Sequence, residues 1–393
     1  MKIPKQQMFS NFLSKKLSKM KDINLFRTLR QVQSTPSTKI EINGESLINF
    51  SSNDYLNLAE NKEIINAAIE IIEKYGFTAT SSRLISGNLA IHEELETKLA
   101  NFKDKQSAIV FPSGYQANIG VISALLSNEK ESCIIMDKLN HASLWDGARF
   151  SGKRIFVYNH CDMNFFEKIL KRSSKYKVKL AITESVFSMD GDLTPLKDFT
   201  YLCQKYGAIS MVDEAHSTGV FGREGKGLAD VFGVSDKIDV SIGTLSKAFA
   251  AQGGFVCGSH KLTRFLINKS RSFIYTTAIS PAICAAALKS MEIIKKCNNK
   301  RQHLHDISKI LKDKLMTLGF NTLNTRSQII PIITGTTENT EKISSYLFRH
   351  GIYIPAIKPP TVPKGQSRIR LSLSSKHVND DIEKLCNSLK RFT

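Results

Sequence analysis

Short apolar runs alternate with helical patterns through the middle of the chain. Several runs are continuously apolar, which is typical of strands buried on both faces of a sheet. Helical patterns such as 92–102 and 195–206 lie between them, and this alternation predicts a mostly parallel α/β sheet. The strand candidates are SAIVFP (107–112), ESCIIMD (131–137), KRIFVYN (153–159), KLAITES (179–185), AISMVDE (208–214), VSIGTLS (240–246) and GGFVCGS (253–259).

The pattern differs on either side of this region. The N-terminal residues are polar, basic and loosely amphipathic, and we expect a helical arm there. Near the C-terminus, one long amphipathic stretch (289–319) predicts a single helix, and strands are expected at 328–334 and 368–374. The sequence therefore predicts three parts: an N-terminal helical arm over 1–45, a large domain over 46–285 and a small C-terminal α+β domain over 286–393.

The net charge is strongly positive, since 55 Lys and Arg residues against 36 Asp and Glu residues give +19. Most of the lysines are scattered, and the dense runs at 15–21 and 171–179 lack the interleaved aromatics of a nucleic-acid platform. No apolar run approaches the roughly 18 residues that a membrane span needs. We therefore expect neither a nucleic-acid nor a membrane partner, although charge alone leaves a basic binding module open as an alternative.

The seven cysteines are spread along the chain without a CxxC pair. This spacing argues against a zinc site and against a disulfide framework. It favours a reducing compartment, so we expect a cytoplasmic protein that carries no metal.

Polar side chains with catalytic potential follow the predicted strands. Asp213 and His216 follow one strand in VDEAHSTGVFG, while Thr244 and Lys247 follow another in GTLSKAF. The carboxyl ends of parallel strands meet at one edge of a sheet, where ligands bind. A lysine confined there has a lowered pKa and can act as a nucleophilic amine and a proton shuttle. Alone, Asp213 could instead be a helix cap and the lysine a surface residue.

Three further motifs follow strands, and each is weak in isolation. Gly114 begins a helix in FPSGYQANIG, where free N–H groups and the helix dipole form an anion site. His141 lies in LNHAS, and Ser188 lies in the turn FSMDGD (187–192). An amine, a carboxylate for a ring nitrogen and a phosphate site are together the requirements of pyridoxal 5'-phosphate.

The motifs also occur in the order of a known family. The chain resembles the α-oxoamine synthases, which are fold-type I pyridoxal-phosphate-dependent transferases, from about residue 46 to the C-terminus. This resemblance implies an acyltransferase with an α/β fold, a homodimer with shared active sites, and amino-acid and acyl-CoA or acyl-ACP substrates. The motifs that carry it are SSNDYLNLA (51–59), NHAS (140–143), FSMDGDLTPL (187–196), VDEAHSTGVFG (212–222), GTLSKAF (243–249) and KPPTVPKGQSRIRLSLS (358–374).

Within the family, PPTVP followed by RIRLSLS is most similar to the 8-amino-7-oxononanoate synthases of biotin biosynthesis. That similarity implies L-alanine and pimeloyl-CoA or pimeloyl-ACP as substrates. HASLWDGAR (141–149) instead resembles the autoinducer synthases, which make an α-hydroxyketone or aminoketone signal from medium-chain acyl-CoA and an aminobutyrate-type substrate. Glycine C-acetyltransferase is a third relative, so the sequence leaves these activities open.

The resemblance also implies roles for individual residues. Lys247 would bind the cofactor covalently, Asp213 would pair with its ring nitrogen, and His141 would stack on its ring; these three would be catalytic. His216 and Ser188 would hydrogen-bond the ring oxygen and nearby groups.

Other residues would hold the phosphate and the substrates. Gly114, Tyr115 and Thr244 would line the cofactor and its phosphate, and Thr276 and Thr277 would reach the phosphate of the neighbouring subunit.

Arg370, in preference to Arg368, would bind the amino-acid carboxylate. Arg27 and Thr361 resemble contacts to the acyl substrate, although Arg30 lies one turn from Arg27.

Overall fold

The computed structural model describes residues 5–392, so the first four residues of the predicted arm and Thr393 lie outside it. The strands are β1 (Lys39–Ile42), β2 (Glu45–Asn49), β3 (Ser107–Phe111), β4 (Ser132–Asp137), β5 (Arg154–Tyr158), β6 (Val178–Glu184), β7 (Ile209–Asp213), β8 (Val240–Thr244), β9 (Gly254–Gly258), β10 (Ile329–Gly335), β11 (Ile352–Tyr353), β12 (Ala356–Ile357) and β13 (Ser367–Ser372). The helices are α1 (Lys5–Asp22), α2 (Lys62–Tyr75), α3 (Ala90–Phe102), α4 (Gly114–Leu125), α5 (Ala142–Phe150), α6 (Met163–Arg172), α7 (Leu196–Lys205), α8 (Leu228–Val231), α9 (His260–Lys269), α10 (Arg271–Ile274), α11 (Pro281–Lys296), α12 (Asn298–Thr317), α13 (Thr337–Arg349) and α14 (Asn379–Leu389).

A seven-stranded sheet forms the centre of the molecule, in the order β3-β9-β8-β7-β6-β4-β5. The five strands β8, β7, β6, β4 and β5 run parallel to one another, while β9 runs antiparallel to both β3 and β8. Every strand predicted between 107 and 259 belongs to this sheet, which confirms the α/β fold class. Apolar clusters on both faces bury the sheet, as the continuously apolar runs predicted.

Four neighbouring parallel strands end in polar residues at the same edge of this sheet. β4 ends at Asp137, β6 at Glu184, β7 at Asp213 and β8 at Thr244. The sheet thereby concentrates three carboxylates and a hydroxyl at one edge, where ligands collect in open α/β sheets.

Two smaller sheets lie beyond the central one. The strands predicted at 328–334 and 368–374 form an antiparallel sheet in the order β10-β13-β12. The other sheet joins the β1–β2 hairpin to β11. The division at about residue 285 stays a prediction, and α11 crosses that position.

The prediction of a helical arm through residue 45 is wrong beyond Asp22, where α1 ends. Residues 39–49 form a β-hairpin whose turn, Asn43–Gly44, has φ angles of 55° and 78°. An Asn-Gly pair between alternating apolar residues favours this turn, because both central positions need positive φ. The hairpin thus spans the predicted boundary between residues 45 and 46.

The prediction of a single helix over 289–319 is also wrong. The stretch lies in two helices, α11 and α12, that are separated at Cys297. Cys297 has a φ of −92° and a ψ of 46°, outside the helical region, so the helical backbone is interrupted there.

None of the helices within residues 5–392 has both the length and the apolar character that a membrane crossing requires.

A buried ion pair supports the carboxyl end of β7. The Lys103 Nζ atom lies 2.7 Å from Glu214 Oε2, and the two side chains are only 4% and 1% exposed. The Glu214 carboxylate also accepts hydrogen bonds from the Ala229 N–H and the Ser241 hydroxyl. These bonds compensate the desolvation of the charges and fix the residue next to Asp213.

We expect Lys103→Met to lower the free energy of unfolding by about 3–5 kcal/mol, because Glu214 stays buried without its cation. Urea unfolding followed by circular dichroism, at equal protein concentrations, measures this loss. The matched control is Lys171→Met, which breaks an exposed pair with Glu167 and should leave the unfolding midpoint nearly unchanged. Equal losses in both variants would show that the buried pair has no special role.

Candidate active site

A cavity of about 190 Å³ opens at the polar edge of the central sheet. It brings together seven of the residues predicted from the sequence: Gly114, Tyr115, His141, Asp213, His216, Thr244 and Lys247. It is also lined by four residues that sequence reasoning did not assign: Asn118, Ser143, Glu184 and Ala215.

A chain of hydrogen bonds begins at the lysine. Lys247 Nζ lies 2.8 Å from His216 Nε2, and His216 Nδ1 lies 2.6 Å from the Tyr55 hydroxyl. The Tyr55 hydroxyl donates in turn to Asn53 Oδ1 at 3.1 Å. This direction makes Nδ1 of the imidazole the donor and Nε2 the acceptor that faces the lysine.

Burial and neighbouring charges shift the proton affinities of this pair. Burial lowers the pKa of Lys247 to about 8; Asp213 and Glu184 act to raise it, and Arg370 lowers it further. Burial and the Lys247 charge hold the pKa of His216 well below its ordinary value. Near neutral pH the imidazole is therefore neutral, and the lysine is much closer to losing its proton than an exposed lysine would be.

Asp213 extends from the end of β7 into the cavity and is 7% exposed. Its Oδ2 accepts a hydrogen bond from Asn118 Nδ2 at 2.9 Å, and its Oδ1 accepts one from the Ala215 N–H at 2.9 Å. These two donors hold the carboxylate in one orientation. Among residues 5–392, no cationic side chain lies within ion-pair distance of it.

His141 is the N-cap of α5, and its side chain also lines the cavity. Its Nδ1 accepts a hydrogen bond from the Ser143 N–H at 3.2 Å, which places the proton of a neutral ring on Nε2. Burial lowers the pKa of His141, and the nearby Lys247 charge acts in the same direction. The backbone N–H of His141 is held by Glu184 Oε1 at 2.5 Å.

Glu184 is a second buried carboxyl at this edge. Burial and the charge of Asp213 raise the pKa of Glu184 well above its ordinary value. This direction is expected where two like charges lie close together in a desolvated site.

The N-terminus of α4 faces the cavity and carries no acidic residue in its first turn. Ser113 caps the helix by accepting from the Gln116 N–H at 3.1 Å. A side chain at Gly254 would place its Cβ 2.6 Å from the Gly114 backbone, so only glycine lets β9 approach the helix start this closely. The arrangement leaves an anion site formed by N–H groups and the helix dipole.

The two arginines of β13 have different environments. Arg368 pairs with Asp190 at 2.9 Å. Arg370, also buried, donates to the Ser188 carbonyl at 2.6 Å and to Asn53 Oδ1 at 3.3 Å, and no carboxylate within residues 5–392 forms an ion pair with it. Arg370 is therefore the arginine whose charge is available to a ligand.

Two predicted residues make contacts that the sequence did not predict. Ser188 does not line the cavity, and its contact to the site is the carbonyl that binds Arg370. Tyr115 lines the cavity, but its hydroxyl donates to Asp146 at 2.5 Å. The hydrogen bond to this carboxylate raises the pKa of Tyr115 and keeps its hydroxyl protonated.

The remaining predicted residues lie outside this cavity. Thr276 and Thr277 follow α10, and Thr277 is exposed. Arg27 donates to the Pro359 carbonyl at 3.2 Å, which brings it near the exposed Thr361. Arg30, by contrast, lies 4.7 Å from the centre of the Phe348 ring.

The missed residues differ in how visible they are in the sequence. Glu184 ends a predicted strand, as Asp213 does, and the same reasoning could have found it. Asn118 lies one turn after Gly114 on α4, but nothing in the sequence connects it with Asp213, 95 residues away.

A second cluster of donor atoms lies outside the cavity, where Asp137, His160 and Cys161 are within 4.8 Å of one another. Both ring nitrogens of His160 already contact carboxylates, of Asp137 and Asp192. These hydrogen bonds satisfy the imidazole, and we assign no metal ion to the cluster.

Most of the chain matches the model of one protein family. The model for aminotransferase class I and II matches residues 45–389. An 8-amino-7-oxononanoate synthase 2 from Bacillus subtilis is 42% identical, with 95% of each chain covered. An 8-amino-7-oxononanoate synthase from Thermoanaerobacter pseudethanolicus is 41% identical, with 95% of this chain and 94% of the relative covered.

Solved structures share the fold over nearly the whole length. A serine palmitoyltransferase from Sphingomonas wittichii has a TM-score of 0.90 and 29% identity, covering 99% of this chain and 98% of its own. Another serine palmitoyltransferase structure, with a TM-score of 0.91 and 29% identity, covers the same shares and contains pyridoxal phosphate. An 8-amino-7-oxononanoate synthase from Francisella tularensis has a TM-score of 0.77 and 29% identity, covering 88% and 97%.

The lowered pKa of Lys247 can be measured in the protein without any ligand. We expect pH-dependent acylation of Lys247, followed by peptide mass spectrometry, to reach half its maximal rate near pH 8. Arg370→Met should raise that midpoint because it removes a repelling cation, and Asp213→Asn should lower it because it removes an attracting anion. A midpoint that stays the same in both variants would contradict this electrostatic account.

Proposed function

Because the chain belongs to the aminotransferase class I and II family, and within it to the α-oxoamine synthases, we propose that it condenses L-alanine with a pimeloyl thioester. The product is 8-amino-7-oxononanoate, and the protein is then a pyridoxal-phosphate-dependent acyltransferase of biotin biosynthesis. A carbon–carbon bond forms between the alanine Cα and the thioester carbonyl carbon, while carbon dioxide and the carrier thiol leave. The observation that carries the proposal is one cavity that contains the Lys247 amine and the Asp213 carboxylate close to Arg370.

The residues of the cavity fit pyridoxal phosphate. The N-terminus of α4 offers N–H donors to a phosphate, and the close packing of Gly254 keeps that helix end at the cavity. Asp213 can hold a proton on a ring nitrogen, and Lys247 offers the amine. When bound, the cofactor supplies an electron sink for the charge that develops at the Cα of the amino acid.

The chain's own groups supply binding and proton transfer. With a pKa of about 8, the Lys247 amine can both accept and return a proton at the substrate Cα near neutral pH. The guanidinium of Arg370 can bind the carboxylate of the amino acid with two parallel hydrogen bonds. His141, with its proton on Nε2, can donate to the thioester carbonyl and stabilise the negative charge that develops there.

A homodimer with shared active sites and a cytoplasmic location are part of the same proposal. Tyr275 and Ile85 are 72% and 83% exposed, and their loops are joined by the bond from the Ala278 N–H to the Ser81 carbonyl. An apolar surface beside Thr276 and Thr277 supports contact with a second copy. The seven free cysteines support a reducing compartment.

A substrate panel tests the reaction. The holoenzyme should release thiol fastest with L-alanine and pimeloyl-CoA or pimeloyl-ACP, and mass spectrometry should detect 8-amino-7-oxononanoate. The other arms of the panel are glycine or 2-aminobutyrate as the amino acid and acetyl-CoA or a medium-chain acyl-CoA as the donor. A preference for 2-aminobutyrate with a medium-chain donor would indicate a signal synthase, and one for glycine with acetyl-CoA would indicate glycine C-acetyltransferase.

Substitutions at the two central residues test the assignment of the site. Lys247→Ala should abolish turnover and the visible absorbance of the covalently bound cofactor, whereas the control Lys269→Ala on α9 should retain both. Asp213→Asn preserves the shape of the side chain but removes its charge. It should still bind the cofactor, and turnover should fall by at least about 100-fold. Normal turnover in either active-site variant would contradict the proposed roles.

A further inference from the structure

His160 lies between β5 and α6, outside the cavity, and its ring contacts two carboxylates. Its Nδ1 is 3.0 Å from Asp137 Oδ1, and its Nε2 is 2.6 Å from Asp192 Oδ2. Ionised carboxylates only accept hydrogen bonds, so both ring nitrogens must carry protons and the ring is an imidazolium. Burial lowers the pKa of His160, but the two hydrogen bonds outweigh it and raise the pKa to about 12.

One of these carboxylates shapes the loop that leads to His141. Asp137 ends β4, and its Oδ1 also accepts the Leu139 N–H at 2.8 Å. The Asn140 N–H donates to the Asp137 carbonyl at 3.2 Å, closing a turn. We call residues 137–141 the His141 loop; its conformation depends on the orientation of the Asp137 carboxylate.

The other carboxylate belongs to the turn at 187–192, which we call the Ser188 turn. The Phe187 N–H donates to the Asp192 carbonyl at 3.1 Å, and the Ser188 carbonyl binds Arg370 at 2.6 Å. The Oδ1 atom of Asp192 is buried without a hydrogen-bond partner among the described residues, so the contact with His160 compensates the burial of this charge. The turn therefore positions Arg370, and His160 positions the turn.

We propose that His160 is a positioning residue whose imidazolium joins the His141 loop to the Ser188 turn. The imidazolium thereby fixes the separation between His141 and Arg370. The importance of this separation for catalysis rests on the proposed function. A neutral side chain removes the cation and the geometry that directs one N–H at each carboxylate, so both carboxylates would lose their cationic partner, and their loops would move.

Hydrogen exchange of the ligand-free protein tests the connection directly. In His160→Gln, backbone amides in both 137–143 and 187–193 should exchange about 10-fold faster or more, while those of β7 and β8 stay unchanged. Asp192→Asn removes only one contact and should accelerate exchange in 187–193 alone. His350→Gln, on an exposed histidine that contacts the Tyr346 carbonyl, is the matched control and should change neither segment.

Kinetics then test the catalytic consequence. In His160→Gln holoenzyme, the KM for the amino acid should rise about 10-fold or more because Arg370 is displaced, and kcat should fall because the loop that carries His141 is displaced as well. His160→Arg retains a cation with several donors and should recover part of this loss.

Unchanged exchange in both segments would overturn the proposal, and so would a uniform increase across the sheet. If His160→Gln does not fold, the restricted effect of Asp192→Asn decides the matter. The exchange experiment needs neither cofactor nor substrate, so its result stands even if the substrate panel rejects the proposed reaction.

Discussion

The site depends on burying opposite charges close together without joining them in ion pairs. Lys247 and Arg370 repel each other, and Asp213 attracts the lysine without lying within ion-pair distance of it. Because water is largely excluded, these interactions are stronger than they would be at the surface. The low pKa of the lysine and the neutral state of His216 both follow from this arrangement. The cavity is consequently suited to bind anionic groups.

The central sheet makes this arrangement possible at an acceptable cost in stability. Asp213 extends from a strand whose other residues are apolar except for Ser210, and the Lys103–Glu214 pair fixes the chain directly after it. His160 connects two neighbouring loops at the same edge. Rigid strands and paired charges around the cavity thus hold in place a few charged groups, such as Lys247 and Asp213, that have no ion-pair partner among the described residues.

The strands and their polar ends could be predicted from the sequence because both signals are local. Continuously apolar runs give the strands, and Asp213 and Thr244 end two of them. The partners of the polar groups at this edge could not be predicted, because Asn118, Tyr55 and Lys103 reach Asp213, His216 and Glu214 only through the fold. The interruption at Cys297 has no Gly or Pro to indicate it, whereas the Asn43–Gly44 turn carried a signal that competed with the helical pattern around it.

The short chain of hydrogen bonds from Lys247 to Asn53 also reaches Arg370, since Asn53 Oδ1 accepts from both Tyr55 and the guanidinium. Arg370 depresses the proton affinity of Lys247 while its charge is uncompensated. A carboxylate bound at Arg370 would cancel that repulsion, and by thermodynamic linkage a proton on Lys247 would strengthen the binding of the carboxylate equally. An arriving amino acid would thus make Lys247 a stronger base at the moment when the Cα proton of that amino acid has to be removed.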